Sequence, residues 1–308
     1  MRPNSCWTSL TALMALALLF ALAPSVSSSQ EPVVSDDYGS TLVVKKPFQR
    51  VISLTPSVTE DIYSLGAQDQ LVGVTTYCDY PPQARYKPQV GDIVRPNVER
   101  ILNLNPDLIL CAGNALQVTK KLADMGVPCL VFRSESLADI RHDLQRLGTL
   151  LGREEQARTL CLDMDEQIKT VRTNAALRQT PKAVLAFDLK PLIVAGEKTL
   201  GDELLNLIGC QNVGRAAQGR YPNLSVEFLI QERPEFFFYA GKGTEEETLA
   251  LRSEWVEWTS IPAVSKGHIY SVSADLVSRP SLRLLEGLRG LEKILGEETQ
   301  PVALGEED

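Results

Sequence analysis

The stretch that decides the fold runs from Gly152 to Gln179 and reads G-R-E-E-Q-A-R-T-L-C-L-D-M-D-E-Q-I-K-T-V-R-T-N-A-A-L-R-Q. It contains no proline, and Pro181 follows as a stop signal. Its apolar residues recur in steps of three and four, which predicts one buried stripe on an α-helix: Ala157, Leu160, Cys161, Met164, Ile168, Val171 and Ala175. At 1.5 Å per residue this helix is roughly 40 Å long. It is either a strut between two lobes or a crossover helix within one α/β domain.

Short β-branched runs alternate with amphipathic segments on both sides of this helix. Such βαβα alternation indicates mostly parallel sheets that are covered on both faces. We therefore expect an N-terminal α/β lobe over residues 42–151, a linking backbone helix over residues 152–180 and a C-terminal α/β lobe over residues 181–296.

An internal repeat favours the strut. Residues Val98–Gly113 read V-E-R-I-L-N-L-N-P-D-L-I-L-C-A-G, and residues Val226–Gly241 read V-E-F-L-I-Q-E-R-P-E-F-F-F-Y-A-G, at an offset of 128 residues. Two copies this far apart indicate two similar lobes. The predicted fold is thus α/β, with two Rossmann-like lobes joined by a single long backbone helix and a ligand cleft between them.

The two ends of the chain do not read as parts of a lobe. Residues 1–29 predict a cleaved signal peptide, because Leu10–Ala23 is apolar but too short to span a membrane comfortably. Cys6 precedes this apolar run, so the chain is not expected to be a lipoprotein. Residues 30–41 are expected to form a flexible leader, and residues 297–308 an acidic tail.

Composition and motifs exclude several functions. The formal net charge of −8 argues against a nucleic-acid partner. The five cysteines after residue 29 show no C-x-x-C spacing, and one or two disulfides of unknown pairing remain open. With only His142 and His268, neither a metal site nor a catalytic residue is predicted, and a secreted α/β enzyme is the remote alternative.

Four phrases carry a resemblance to a known family: R-V-I-S-L-T-P-S-V-T-E (Arg50–Glu60), L-G-A-Q-D-Q-L-V-G-V-T-T-Y-C-D-Y-P-P (Leu65–Pro82), P-N-V-E-R-I-L-N-L-N-P-D-L-I-L (Pro96–Leu110) and R-P-S-L-R (Arg279–Arg283). Together they resemble the helical-backbone (class III) periplasmic substrate-binding proteins of ABC importers, which bind cobalamin, iron–siderophores or haem. The segments Y-C-D-Y-P-P and P-N-V-E-R-I are most similar to the cobalamin-binding branch.

This resemblance implies a monomeric periplasmic protein without a cofactor of its own. It would capture cobalamin or a related corrinoid and deliver it to the permease dimer of an ABC importer and its ATPase. An iron–siderophore or haem ligand is the alternative. The ligand-binding residues that the resemblance implies are Tyr77, Asp79, Tyr80, Arg95, Tyr221, Pro222, Asp275 and Arg279, although the arginines could equally form surface ion pairs.

The resemblance also implies two docking acids, Glu99 and Glu227, which occupy matching positions of the repeat. Carboxylates on two related lobes are suited to engage arginines of a dimeric permease through charge-assisted hydrogen bonds. The alternative is that each glutamate is a solvated or capping residue.

Overall fold

The computed structural model describes residues 31–113 and 116–299. The predicted signal peptide at residues 1–29 therefore lies outside the described residues, as does the predicted tail from residue 300 onward. Within the described ranges, no helix is long and apolar enough to cross a membrane.

A β-hairpin occupies the segment where the sequence predicted a flexible leader at residues 30–41. Strand β1 (Val33–Ser35) pairs antiparallel with strand β2 (Thr41–Val43). Asp36, in the turn between them, is buried, and its Oδ2 accepts a hydrogen bond of 3.1 Å from the backbone N–H of Val131. The prediction of a loose leader is wrong over the hairpin, because a buried acid ties its turn to the first lobe.

The first lobe is built on a parallel sheet. Its strands are β3 (Val51–Ser53), β4 (Leu71–Val74), β5 (Leu108–Ala112) and β6 (Cys129–Phe132). In the described residues these four strands pair in the order β4-β3-β5-β6, all parallel. Its helices are α1 (Pro56–Ser64), α2 (Val98–Asn103), α3 (Leu116–Asp124) and α4 (Leu137–Leu151).

The long helix, α5, spans Glu154–Ala175 and has 22 residues, or about 33 Å. It is shorter than the predicted 152–180, because Gly152 adopts a left-handed φ of 65° that ends α4. Ala157 packs into the core of the first lobe, whereas Cys161, Met164 and Val171 pack into the core of the second. The helix therefore joins both cores. Cys161 and the other four cysteines of the described residues are free thiols.

The second lobe has a mixed sheet. Its strands are β7 (Lys182–Leu189), β8 (Leu192–Val194), β9 (Gln211–Asn212), β10 (Asn223–Leu224), β11 (Phe236–Gly241) and β12 (Ile269–Ser273). Strands β9, β7, β11 and β12 pair in parallel, and β8 and β10 add antiparallel pairs. Its helices are α6 (Leu200–Leu207), α7 (Val226–Glu232), α8 (Glu245–Trp255), α9 (Pro262–Ser265), α10 (Ala274–Ser278) and α11 (Leu284–Glu298).

The sequence repeat is also a repeat of backbone conformation. Helices α2 and α7 both begin at the repeated valine, and each leads to a buried parallel strand. Between helix and strand, Asn105 and Arg233 both adopt left-handed φ values, 45° and 57°, just before the repeated proline. The chain folds as two α/β lobes joined by α5, as the sequence predicted. Helix α11 extends to Glu298, so the first residues of the predicted tail 297–308 are helical.

Candidate ligand cleft and docking acids

Segments that follow the carboxyl ends of strands from the two lobes meet each other. Residues 55–61 follow β3, residues 75–82 follow β4, and residues 274–283 follow β12. Ligands of open α/β sheets bind in the crevice outside the carboxyl ends of the strands. The candidate cleft lies at this meeting of the two lobes.

A group of side chains, here called the clasp, joins the lobes at this edge and consists of Glu60, Arg279, Ser281 and Arg283. Glu60 is only 2% exposed. Its Oε1 accepts hydrogen bonds from Nη1 of Arg279 at 3.0 Å and from Nη1 of Arg283 at 3.1 Å. Its Oε2 accepts a hydrogen bond from the hydroxyl of Ser281 at 2.5 Å. One carboxylate of the first lobe therefore binds three side chains that follow β12.

Arg279 is surrounded by carboxylates. Besides Glu60, it contacts Asp79 at 2.9 Å and Asp275 at 2.9 Å. Burial alone would raise the pKa of Asp79, but the hydrogen bond and charge of Arg279 outweigh it and leave the pKa lowered. The structure thus brings together three of the predicted ligand residues, Asp79, Asp275 and Arg279, in contacts with one another.

Tyr80, a fourth predicted ligand residue, adjoins the clasp. The guanidinium carbon of Arg283 lies 3.3 Å from the centroid of its ring, within the range of a cation–π interaction. The residue is 38% exposed. One face of the ring is therefore covered by the second lobe, and the rest of the side chain is accessible from solvent.

The aromatic–proline step lies on the second lobe. Tyr221 is 56% exposed, and its ring meets Phe187 at a centroid distance of 5.6 Å and an interplanar angle of 73°. The carbonyl of Pro222, which is buried, accepts a hydrogen bond of 3.1 Å from the N–H of Val194 at the end of β8. Tyr221 is thus an exposed ring on a backbone that the sheet holds in place.

A second set of contacts joins the lobes beside α5. Nη1 of Arg220 contacts Oε2 of Glu135 at 2.7 Å, and the N–H of Leu137 donates to Oε2 of Glu203 at 2.9 Å. Burial raises the pKa of Glu203, although this hydrogen bond opposes the shift. A cavity of about 720 Å³ lies here, lined by these three charged residues and by Arg172 of α5.

Tyr77 and Arg95 are two further predicted ligand residues, and both lie on exposed loops of the first lobe. Tyr77 is 58% exposed on the loop after β4, and the N–H of its neighbour Thr76 donates to the carbonyl of Gly91 at 2.9 Å. Arg95 is exposed on the adjoining loop. Among the described residues neither side chain makes a hydrogen bond or an ion pair. Their ligand role stays a prediction.

Glu99 and Glu227 occupy equivalent sites in the two lobes. Each lies exposed in the first turn of a short helix, α2 or α7, after a polar N-cap residue. The N-cap of α2 is Asn97, whose side chain accepts a hydrogen bond of 2.9 Å from Arg100 N–H. Backbone and side-chain hydrogen bonds at the start of α7 lower the pKa of Glu227. Both acids are therefore accessible from solvent, and docking stays a prediction for them.

The match to known proteins covers most of the chain. Residues 51–276 match the periplasmic binding protein family. The chain belongs to this family. A vitamin B12-binding protein of Vibrio cholerae is 30% identical over 251 residues, which cover 80% of this chain and 89% of the relative.

Solved structures agree with this assignment. A crystal structure of the periplasmic vitamin B12-binding protein of Vibrio cholerae has a TM-score of 0.71 and 28% identity, and the match covers 81% of this chain and 97% of that one. A periplasmic haem-binding protein from Pseudomonas aeruginosa has a TM-score of 0.72 and 25% identity, with coverage of 83% and 95%. The predicted family and fold class are confirmed for this periplasmic binding protein.

Several residues of the cleft were not predicted from the sequence. Glu60 lies three residues after Ser57, which is the spacing of a capping box, but its side chain turns inward to the clasp, and α1 has no side-chain cap. Arg283 is the last residue of the segment R-P-S-L-R, and no ligand role was predicted for it or for Phe187. The pairing of Phe187 with Tyr221 has no signal in the sequence, because 34 residues separate them.

Proposed function

We propose that this chain is a periplasmic solute-binding protein that captures cobalamin or a related corrinoid between its lobes and delivers it to an ABC importer. The observation that carries the proposal is the 30% identity to a vitamin B12-binding protein along 89% of that protein's length. The chain acts as a carrier rather than as an enzyme, and the ligand is cargo rather than a cofactor.

Aromatic side chains on both sides of the cleft support a large, flat ligand. Tyr77 and Tyr80 follow β4 of the first lobe, and Tyr221 lies on the second. All three are exposed large apolar side chains, with exposures of 58%, 38% and 56%. Aromatic faces supply a large contact area to a planar macrocycle. Of the two predicted ligand arginines, Arg95 is open to an anionic group of the ligand, whereas Arg279 is paired within the clasp.

The partner is the permease dimer of the importer. Glu99 and Glu227 are its contact residues in this proposal, one on each lobe, and α5 holds the two lobes in one frame. The protein reaches the periplasm through the signal peptide expected at residues 1–29, and it acts as a monomer.

Calorimetric titration of the mature protein with cyanocobalamin tests the proposal. Binding at micromolar concentration or tighter is expected. The Tyr221→Ala variant should bind roughly 10-fold or more weakly, because about 1–3 kcal/mol of buried aromatic contact is lost. Tyr86→Ala is the matched control, since Tyr86 is 88% exposed on a turn after residues 77–80, and it should bind as the wild type does.

Haem and a ferric siderophore are titrated in parallel. The resemblance in fold to the haem-binding protein from Pseudomonas aeruginosa makes haem the informative competitor. No heat with cyanocobalamin, together with saturable binding of haem or of the siderophore, would reassign the ligand within the same family.

A further inference from the structure

A small cavity of about 180 Å³ lies at the candidate cleft, next to the clasp. First-lobe residues that follow the carboxyl ends of β3, β5 and β6 form most of its wall, and Pro280 of the second lobe completes it. A water molecule takes a share of about 30 Å³ in the liquid. The cavity therefore has room for a short polar arm of a ligand but not for a macrocycle.

Two buried polar side chains line this cavity with hydrogen-bonding capacity to spare. Asp61 is 2% exposed; its Oδ1 accepts a hydrogen bond of 2.9 Å from the N–H of Leu282. Its Oδ2 receives no hydrogen bond from the described residues. Ser57 is 5% exposed, and its hydroxyl likewise has no partner in the described part of the chain. Both oxygens are therefore available to a polar group that enters the cavity.

The remaining charged groups around the cavity are already paired. Asp143 accepts hydrogen bonds from Ser134 and Arg146, and Arg133 contacts Glu135 at 2.9 Å. Burial raises the pKa of Asp61 well above its usual range, and the charges of Asp143 and Glu60 act in the same direction. An anionic group in this cavity would lie against the buried acids Asp61 and Asp143 and is disfavoured there, whereas an uncharged polar group is not.

We propose that this cavity is a subsite for an uncharged carboxamide arm of the ligand, with Asp61 and Ser57 as its hydrogen-bond partners. The proposal rests on the proposed function, because corrinoids carry carboxamide arms around the ring. The carboxylate arms of haem are disfavoured at the same place. The subsite therefore gives the protein a means to select an amide-bearing macrocycle over an acid-bearing one.

Calorimetry with cyanocobalamin on three variants tests the subsite. Asp61→Leu and Ser57→Ala should each weaken binding, the first by about 10-fold, since an unpaired buried amide is left behind. Asp202→Asn is the matched control: Asp202 is also a buried acid that accepts a backbone hydrogen bond, from Lys198, but it lies within the second lobe and does not line this cavity. Its affinity should stay within about 2-fold of wild type, below the effect of one hydrogen bond.

The monocarboxylic acids of cyanocobalamin, in which one amide is hydrolysed, supply the second readout. Wild type should reject at least one isomer by about 10-fold or more, and Asp61→Leu should lose that discrimination. If Ser57→Ala and Asp61→Leu melt like the wild type and bind all of these ligands equally well, the cavity holds water only and the proposal fails. Ser57→Ala removes a single oxygen atom, so it decides the matter if Asp61→Leu does not fold. Wild type that binds no cyanocobalamin would end the proposed function, and the subsite with it.

Discussion

Replacing Glu60 by glutamine perturbs the contact between the lobes at its centre. The change keeps the shape of the side chain but removes the charge that faces Arg279 and Arg283. Removing one partner of a buried ion pair typically costs about 3–5 kcal/mol. The lower end, about 3 kcal/mol, is expected here, because Arg279 keeps its contacts with Asp79 and Asp275, each at 2.9 Å.

Two measurements show whether this energy holds the lobes together. Spin labels at Tyr86→Cys in the first lobe and Leu249→Cys in the second, which are 88% and 56% exposed, report the separation of the lobes. In the Glu60→Gln background the distance distribution should broaden toward longer values. If the whole 3 kcal/mol acts on lobe separation, the ligand should dissociate up to about 100-fold faster, at about 1.4 kcal/mol per tenfold.

Asp202→Asn is the matched control within one lobe. Asp202 is 3% exposed, and Oδ1 and Oδ2 of this residue contact Arg215 at 2.6 and 2.9 Å in the second lobe. It should lower the free energy of unfolding and leave the label distance unchanged. The reasoning is refuted if Glu60→Gln behaves in the same way, with lower stability but with unaltered lobe separation and ligand dissociation.

Three further outcomes are expected. Glu99→Arg combined with Glu227→Arg should abolish transport and leave ligand affinity intact. The matched control, Glu155→Arg with Glu166→Arg, changes two exposed acids of α5 and should leave both transport and ligand affinity unchanged. Loss of ligand binding in the Glu99 and Glu227 variant would place those acids in the cleft instead. Burial raises the pKa of Asp202, but hydrogen bonds from Arg215 and Asn212 outweigh that effect and lower the pKa from its usual 3.8. The ionised carboxylate therefore stabilises the fold above pH 3.8, and this stabilisation is lost as the pH falls through the lowered pKa. Asp202→Asn should therefore destabilise the protein more at pH 7 than at pH 3 in urea titrations, and an equal cost at both would contradict the assignment. Burial raises the pKa of three thiols to about 12, those of Cys111, Cys129 and Cys210. The native protein should therefore react slowly with a thiol reagent at pH 8 and fully after unfolding. Fast labelling of the native protein would show that these thiols are accessible.

The local pattern of the chain predicted much of the fold. The apolar stripe from Ala157 to Val171 predicted α5, since a spacing of three and four is a property of the helix itself. The repeat predicted two related lobes, and the structure repeats it down to the left-handed residues Asn105 and Arg233. The equivalence of Glu99 and Glu227 was predicted from the same repeat, because both acids lie at the same position within it.

The tertiary structure alone decided the chemistry of the cleft. Glu60 and Ser281 are 221 residues apart in the chain, and only the meeting of the two lobes makes Glu60 a buried partner of Arg279 rather than a helix cap. The same contact pairs Arg279 with carboxylates of both lobes and leaves Asp61 beside a cavity. Sequence by itself determined the elements and their order, because periodicity and repeats are local. Which side chains pair across the lobes depends on how the two sheets meet, and a local sequence pattern does not contain that information.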